Sequence, residues 1–171
     1  SSVEGARVKN VVRRGKFLWF ELNRDLALVA HLGMSGQFII QSRSADDEKH
    51  LRVRIDCGDR KREIRFIDQR TFGWVAIDQL VHEDDELIPQ SFARIAPDIF
   101  DKKFDRTAVI SKIQKKNSAI KRVLLDQSVM SGVGNIYADE ALWRAAIHPE
   151  RISKKLSEQE ISTLLDAVSF V

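Results

Sequence analysis

Two hydrophobic periodicities and a break between them predict an α+β protein, an antiparallel β-sheet or sandwich followed by a helical domain. Residues from about 6 to 80 alternate apolar and polar side chains with period two, the pattern of half-buried antiparallel strands. Beyond about 106 the apolar positions recur with helical spacing. Between them, 82–105 carries Pro89, Pro97 and the acidic run of Glu83 through Glu86, which marks a connector. The predicted domains are therefore 1–81 and 106–171, joined by 82–105.

In chain order, strands are predicted at 17–22, 26–32, 37–40, 51–57, 63–67 and 74–77. They are separated by Gly15, Asn23-Arg24-Asp25, Gly33, Gly36 and Gly58-Asp59, residues that favour turns. In the fourth strand Leu51, Val53, Ile55 and Cys57 alternate with Arg52, Arg54 and Asp56, so Cys57 is expected at a buried strand position. In the second half Ala108, Val109 and Ile113, then Ile120, Val123 and Leu124, then Ile136, Ala138 and Leu142 define helical stretches. The segment 127–134, with Gly132 and Gly134, reads as a turn. Ser157-Glu-Gln-Glu160 is a capping box that opens a last helix through Ile161, Leu164, Leu165 and Val168.

The chain has 171 residues, 43% hydrophobic and 31% charged, which excludes a disordered tail or a fibrous repeat. No apolar run reaches the roughly 20 residues of a membrane span. The first residues lack a signal-peptide pattern, so a cytoplasmic setting and no membrane partner are expected. A single cysteine, Cys57, makes neither an internal disulfide nor a cysteine-based zinc site. Net charge is only +3, but eight basic residues against one acid fall between Lys102 and Arg122. A second basic cluster is Arg7, Lys9, Arg13, Arg14 and Lys16. Such zones suit either a polyanion, with nucleic acid first, or a solvated face.

Four segments hold candidate chemistry. Between two helices, 127–137 combines two glycines with Asn135 in the first turn of the second helix, a place where backbone N–H groups receive an anion. Lys115, Lys116 and Lys121 stand ahead of it; the other reading is a helical corner that Asn135 merely caps. His31-Leu-Gly-Met-Ser-Gly36 follows an apolar strand, with Met34 either presented outward or folded back on the sheet with His31 inside. Arg70 and Phe72 lie two apart, on one face if extended, a pairing suited to entering a base stack. Lys16 stands at a strand entrance, able to contact phosphate or carry a proton, or simply solvated.

Taken together, Arg13-Arg-Gly-Lys-Phe-Leu, His31-Leu-Gly-Met-Ser-Gly, Asp68-Gln-Arg-Thr-Phe-Gly, the stretch from Asp126 through Glu140 and Ile147-His-Pro149 resemble the formamidopyrimidine-DNA glycosylase family in order and spacing. The resemblance implies a partial antiparallel β-sandwich followed by a helical helix-two-turns-helix DNA-binding domain. It also implies a base-excision repair glycosylase and AP lyase that removes oxidised purines, 8-oxoguanine and formamidopyrimidines, from double-stranded DNA. The abasic strand is then nicked by β- and δ-elimination. Carried over, Lys16 is the catalytic proton donor in β-elimination. His31, His50, Lys116, Lys121 and Asn135 are DNA-binding. Met34, Arg70 and Phe72 fill the void left by the flipped base, Arg70 facing the estranged cytosine. Thr71 stands where many members have a second arginine. The family's N-terminal proline nucleophile and glutamate, and its four-cysteine Zn2+ finger, are not matched by residues of this chain. It is therefore read as a central fragment with no cofactor of its own, a poor catalyst alone, and a monomer at the nucleoid. The alternative is a non-catalytic damaged-DNA-binding module.

Overall fold

The computed structural model describes residues 3–83 and 86–171. It divides into two compact units, one through Gln90 and one from Ser91 to Val171.

The first unit is built of antiparallel strands: β1 (Val8–Arg14), β2 (Phe17–Leu22), β3 (Leu26–His31), β4 (Gln37–Ser42), β5 (Leu51–Ile55), β6 (Arg62–Ile67), β7 (Trp74–Glu83) and β8 (Glu86–Pro89). One sheet has the order β1-β2-β3-β7-β8 and the other β4-β6-β5. Alternation explains the layering. Trp19, Leu22, Val29, Phe66, Leu80 and Ile88 are buried, and Phe20 of one sheet meets Phe38 of the other edge-on at 5.7 Å. Phe38 in turn packs on Phe66 at 5.1 Å. Aromatic pairs of this kind add to the area they bury.

Register decides what gathers at one end of this unit. Arg14 pairs with Phe17, Phe17 with His31, and His31 with Trp74, while Gln37 pairs with Ile67 in the other sheet. The chain therefore crosses between sheets twice at the same end, through 32–36 and through 68–73.

Two expectations are corrected here. Cys57 is exposed and lies past the end of β5. The Asp56 carboxylate accepts the Gly58 amide at 2.8 Å, and this side-chain turn stops the strand before its alternation reaches Cys57. The first part of the expected 82–105 connector is instead sheet: β7 runs through Glu83 and pairs with β8, which ends at Pro89 on the sheet edge, where a missing N–H costs no ladder bond. Asp84 and Asp85 of the acidic run lie outside the described residues.

The second unit holds α1 (Arg106–Lys115), α2 (Ile120–Leu125), α3 (Asn135–Arg144) and α4 (Glu158–Phe170). Their apolar faces close on one core that includes Ile113, Ile120, Leu124, Leu142, Ile161, Leu164 and Leu165. Met130, from the turn before α3, is buried in it as well. Ile136 is not part of this core; it is exposed. Asp105 caps α1 by accepting the Ala108 amide at 2.9 Å. Ser157 and Glu160 form the reciprocal box at the start of α4. Among the described residues no helix is long and apolar enough to cross a membrane.

Candidate nucleic-acid interface

The two crossovers of the first unit form one structure. Asp68, only 1% exposed, closes the end of β6. Its Oδ1 accepts the Ser35 hydroxyl at 2.6 Å and the Arg70 amide at 3.2 Å, and its Oδ2 accepts the Gly73 amide at 2.7 Å. Ser35 Oγ also accepts the Arg70 amide at 3.0 Å. These donors hold the Asp68 carboxyl below the usual carboxylate range, the Ser35 hydroxyl foremost. Main chain meets main chain beside it: a Cβ on Gly33, whose φ is +62°, would lie 2.7 Å from the Gly73 nitrogen and the Phe72 carbonyl carbon.

At the tip of this paired loop, Met34 is 70% and Phe72 62% exposed. Arg70 Nη1 donates to Met34 Sδ at 3.4 Å. Met34 is therefore presented, not folded back. Residues 68–73 are not extended, however; Thr71 takes a left-handed φ of +57°, a costly conformation for a β-branched residue. The exposure of Arg70 and Phe72 is therefore set by the loop and not by strand alternation.

Behind the tip, His31 lies between Phe17 and Trp74, with ring centroids 5.1 and 6.3 Å away. Its Nδ1 accepts the Gly33 amide at 3.1 Å, which leaves Nε2 as the donor of the neutral ring. Burial, and secondly the Lys16 charge, lower its pKa from the ordinary histidine value. Burial lowers that of Lys16 too. Lys16 sits in the tight turn between β1 and β2, opened by Gly15 at φ +56°. His50, ahead of β5, gives its carbonyl to the Asp68 amide at 3.0 Å. All the β-unit candidates thus fall at the end where the crossovers lie.

In the helical unit, Asn135 is exposed and begins α3, and no side chain caps that helix. Gln127 shapes the approach. Its amide donates to the Leu125 and Val133 carbonyls at 3.0 and 3.1 Å, and its oxygen accepts the Gly132 amide at 3.0 Å. Lys116 pairs with Asp126 at 2.8 Å and Lys121 with Asp139 at 2.7 Å. Partly exposed pairs like these are worth about 0–1 kcal/mol, so a phosphate can exchange for either carboxylate. With Lys116 foremost and Ser128 second, the Asp126 carboxyl falls to about 2.

Ser35, Asp68 and Gln127 are the residues whose parts were not foreseen. All three stood inside recognised motifs, but what they hold depends on distant chain segments or on the path of the turn. Among the described residues no three His, Cys, Asp or Glu side chains cluster to hold a metal ion. With one exposed cysteine, the residues present do not fit a four-cysteine zinc site.

A two-sheet unit whose crossovers present a cation and two apolar side chains, followed by helices flanking a glycine-bearing turn, defines a two-domain protein of the helix-two-turns-helix class. Comparison with known proteins agrees in both halves. Residues 1–75 match the formamidopyrimidine-DNA glycosylase N-terminal domain and residues 95–171 the formamidopyrimidine-DNA glycosylase H2TH domain. The chain belongs to the formamidopyrimidine-DNA glycosylase family. It is 49% identical over 170 residues to the formamidopyrimidine-DNA glycosylase of Rhodococcus opacus, covering 98% of this chain and 58% of that protein. The Acidothermus cellulolyticus enzyme of the same name is 46% identical, with 98% and 57% covered. The chain thus spans somewhat over half the length of these curated relatives. Among solved structures, the Lactococcus lactis enzyme bound non-covalently to DNA containing an AP site superimposes with a TM-score of 0.76 at 32% identity. That match covers 95% of this chain and 61% of the other. MutM in complex with DNA containing carbocyclic 8-oxo-G gives 0.76 at 32% identity, covering 95% and 60%.

Proposed function

We propose that this chain is the lesion-probing and DNA-gripping part of a base-excision glycosylase and AP lyase acting on oxidised purines in duplex DNA. The observation that carries the reading is the tip formed by Met34, Arg70 and Phe72, an exposed cation and two exposed apolar groups on a loop braced by Asp68. Extruding a base costs a few kcal/mol, and groups that enter the vacated stack recover part of that cost. Arg70 offers a planar donor fork to the estranged cytosine, and Phe72 props the opened step. His31, in its Nε2–H form, is a phosphate donor of the first unit, and Asn135 at the start of α3 is a phosphate donor of the second. His50, Lys116 and Lys121 extend the phosphate track. Lys16 supplies the proton for β-elimination; its lowered pKa brings the ammonium nearer to a useful acid. The Lactococcus lactis complexes with abasic-site and formamidopyrimidine DNA support this class of substrate. The protein acts as a cytoplasmic, nucleoid-bound monomer.

The test follows base release and strand nicking separately on a duplex carrying 8-oxoguanine opposite cytosine. In the whole glycosylase Lys16→Ala is expected to slow nicking more than base release, and equal loss of both overturns the Lys16 assignment. A native protein that prefers abasic-site duplex over intact duplex yet releases no base is a damaged-DNA-binding module instead.

A further inference from the structure

We propose that Ser35 and Asp68 are a positioning pair that sets Arg70 and Phe72 against Met34 before DNA arrives, and so set the protein's discrimination between opposite bases. The inference rests on the reading of that tip as a void-filling device and assigns a part to residues that touch no DNA in it. Each acceptor of the pair is spent on the loop that carries Arg70. Asp68 Oδ1 and Ser35 Oγ share the Arg70 amide at 3.2 and 3.0 Å, Oδ2 takes the Gly73 amide at 2.7 Å, and the Ser35 hydroxyl ties both to the neighbouring crossover at 2.6 Å.

Such an arrangement holds Thr71 at φ +57°, a conformation that persists in a β-branched residue only when its surroundings over-determine it. Between two residues that point their side chains outward, this turn decides where Arg70 and Phe72 aim. Ordering the loop during folding leaves less entropy to lose on binding. Aim, more than attraction, is what a guanidinium needs to distinguish one base edge from another. Ser35 and Asp68 therefore act through Arg70, as positioning residues.

The experiment measures affinity of the purified protein for three duplexes: intact, with a tetrahydrofuran abasic analogue opposite cytosine, and with the same analogue opposite adenine. Ser35→Ala and Asp68→Asn are expected to reduce the preference for cytosine over adenine by about tenfold, the scale of one lost positioning hydrogen bond. Affinity for intact duplex stays as in the native protein. Ser35→Thr, which keeps the hydroxyl, restores the preference. A merely structural part would lower all three affinities together and leave their ratios alone; that result overturns the proposal, as does full preference in Ser35→Ala. If Asp68→Asn does not fold, Ser35→Ala against Ser35→Thr decides alone. Failure of the underlying reading shows differently, as a native protein with no preference for any abasic duplex.

Discussion

His31 brings three kinds of physics to one ring. The Gly33 amide fixes its tautomer, Phe17 and Trp74 remove water from its faces, and Lys16 opposes its protonation. We expect its NMR titration midpoint below the ordinary 6.5, and Lys16→Met to move that midpoint upward by removing the repulsion. An unchanged midpoint in Lys16→Met would exclude that Coulombic coupling. The sign for stability follows, since an unfolded chain takes up this proton more readily than the folded one. The contribution of His31 is complete above 6.5 and is lost as pH falls through the lower folded value. His31, Met34, Arg70 and Phe72 were legible as candidates because each lies in a short, glycine-bounded motif, and the fold brings them to one end of the first unit. The sequence carried Ser35 inside the His31–Gly36 motif but gave no sign of its part, because a serine becomes a clasp only when a carboxylate 33 positions away is folded against it.

At the scale of elements, Arg65 of β6 shows how a loop is held by one side chain. Though fully buried, it donates to Glu63 and Glu48 and to the carbonyls of Ser42, Ala45 and Asp46, so every N–H of its fork is engaged. Arg65→Lys offers three donors in place of five, and limited proteolysis is expected to cut 42–50 sooner in that variant than in the native chain. In the helical unit, Ser157→Ala removes the cap of α4 and is expected to cost about 1 kcal/mol in denaturant unfolding. Its partner Glu160 falls from 4.5 to about 2, chiefly through Arg151 and then the Ser157 amide. That carboxylate contributes stability above 4.5 that is lost as pH falls toward 2, and the loss is readable as helical circular dichroism. Leu164→Ala, from the fully buried face of the same helix, is expected to cost about 2–5 kcal/mol. The central strands and the helices were legible because their buried faces write a period into the sequence. β1 and β8 were not, being short of that signal at the two ends of their sheet. Val8 and Val11 of β1 are exposed, and Pro89 argued for a boundary where there is an edge.

Over the whole molecule, net charge says little and its placement more. If Lys116 and Lys121 track phosphates, replacing both by alanine should flatten the dependence of log K on log salt by about one unit per lysine, without altering preference among sequences. An unchanged slope would return both lysines to their carboxylate partners, Asp126 and Asp139. The close approach of Gly33 to Phe72 and Gly73 has a mechanical meaning beside its geometric one. A ring driven into a base stack is pushed back with equal force. In this loop such a load would pass from the Phe72 backbone into the backbone at Gly33, and through the Gly73–Asp68 hydrogen bond to the end of β6. If Phe72 enters a base stack as proposed, it is thus braced by the neighbouring crossover at Gly33 and by Asp68 just past the end of β6, and bears on the duplex as a strut bears weight, by compression instead of by bending.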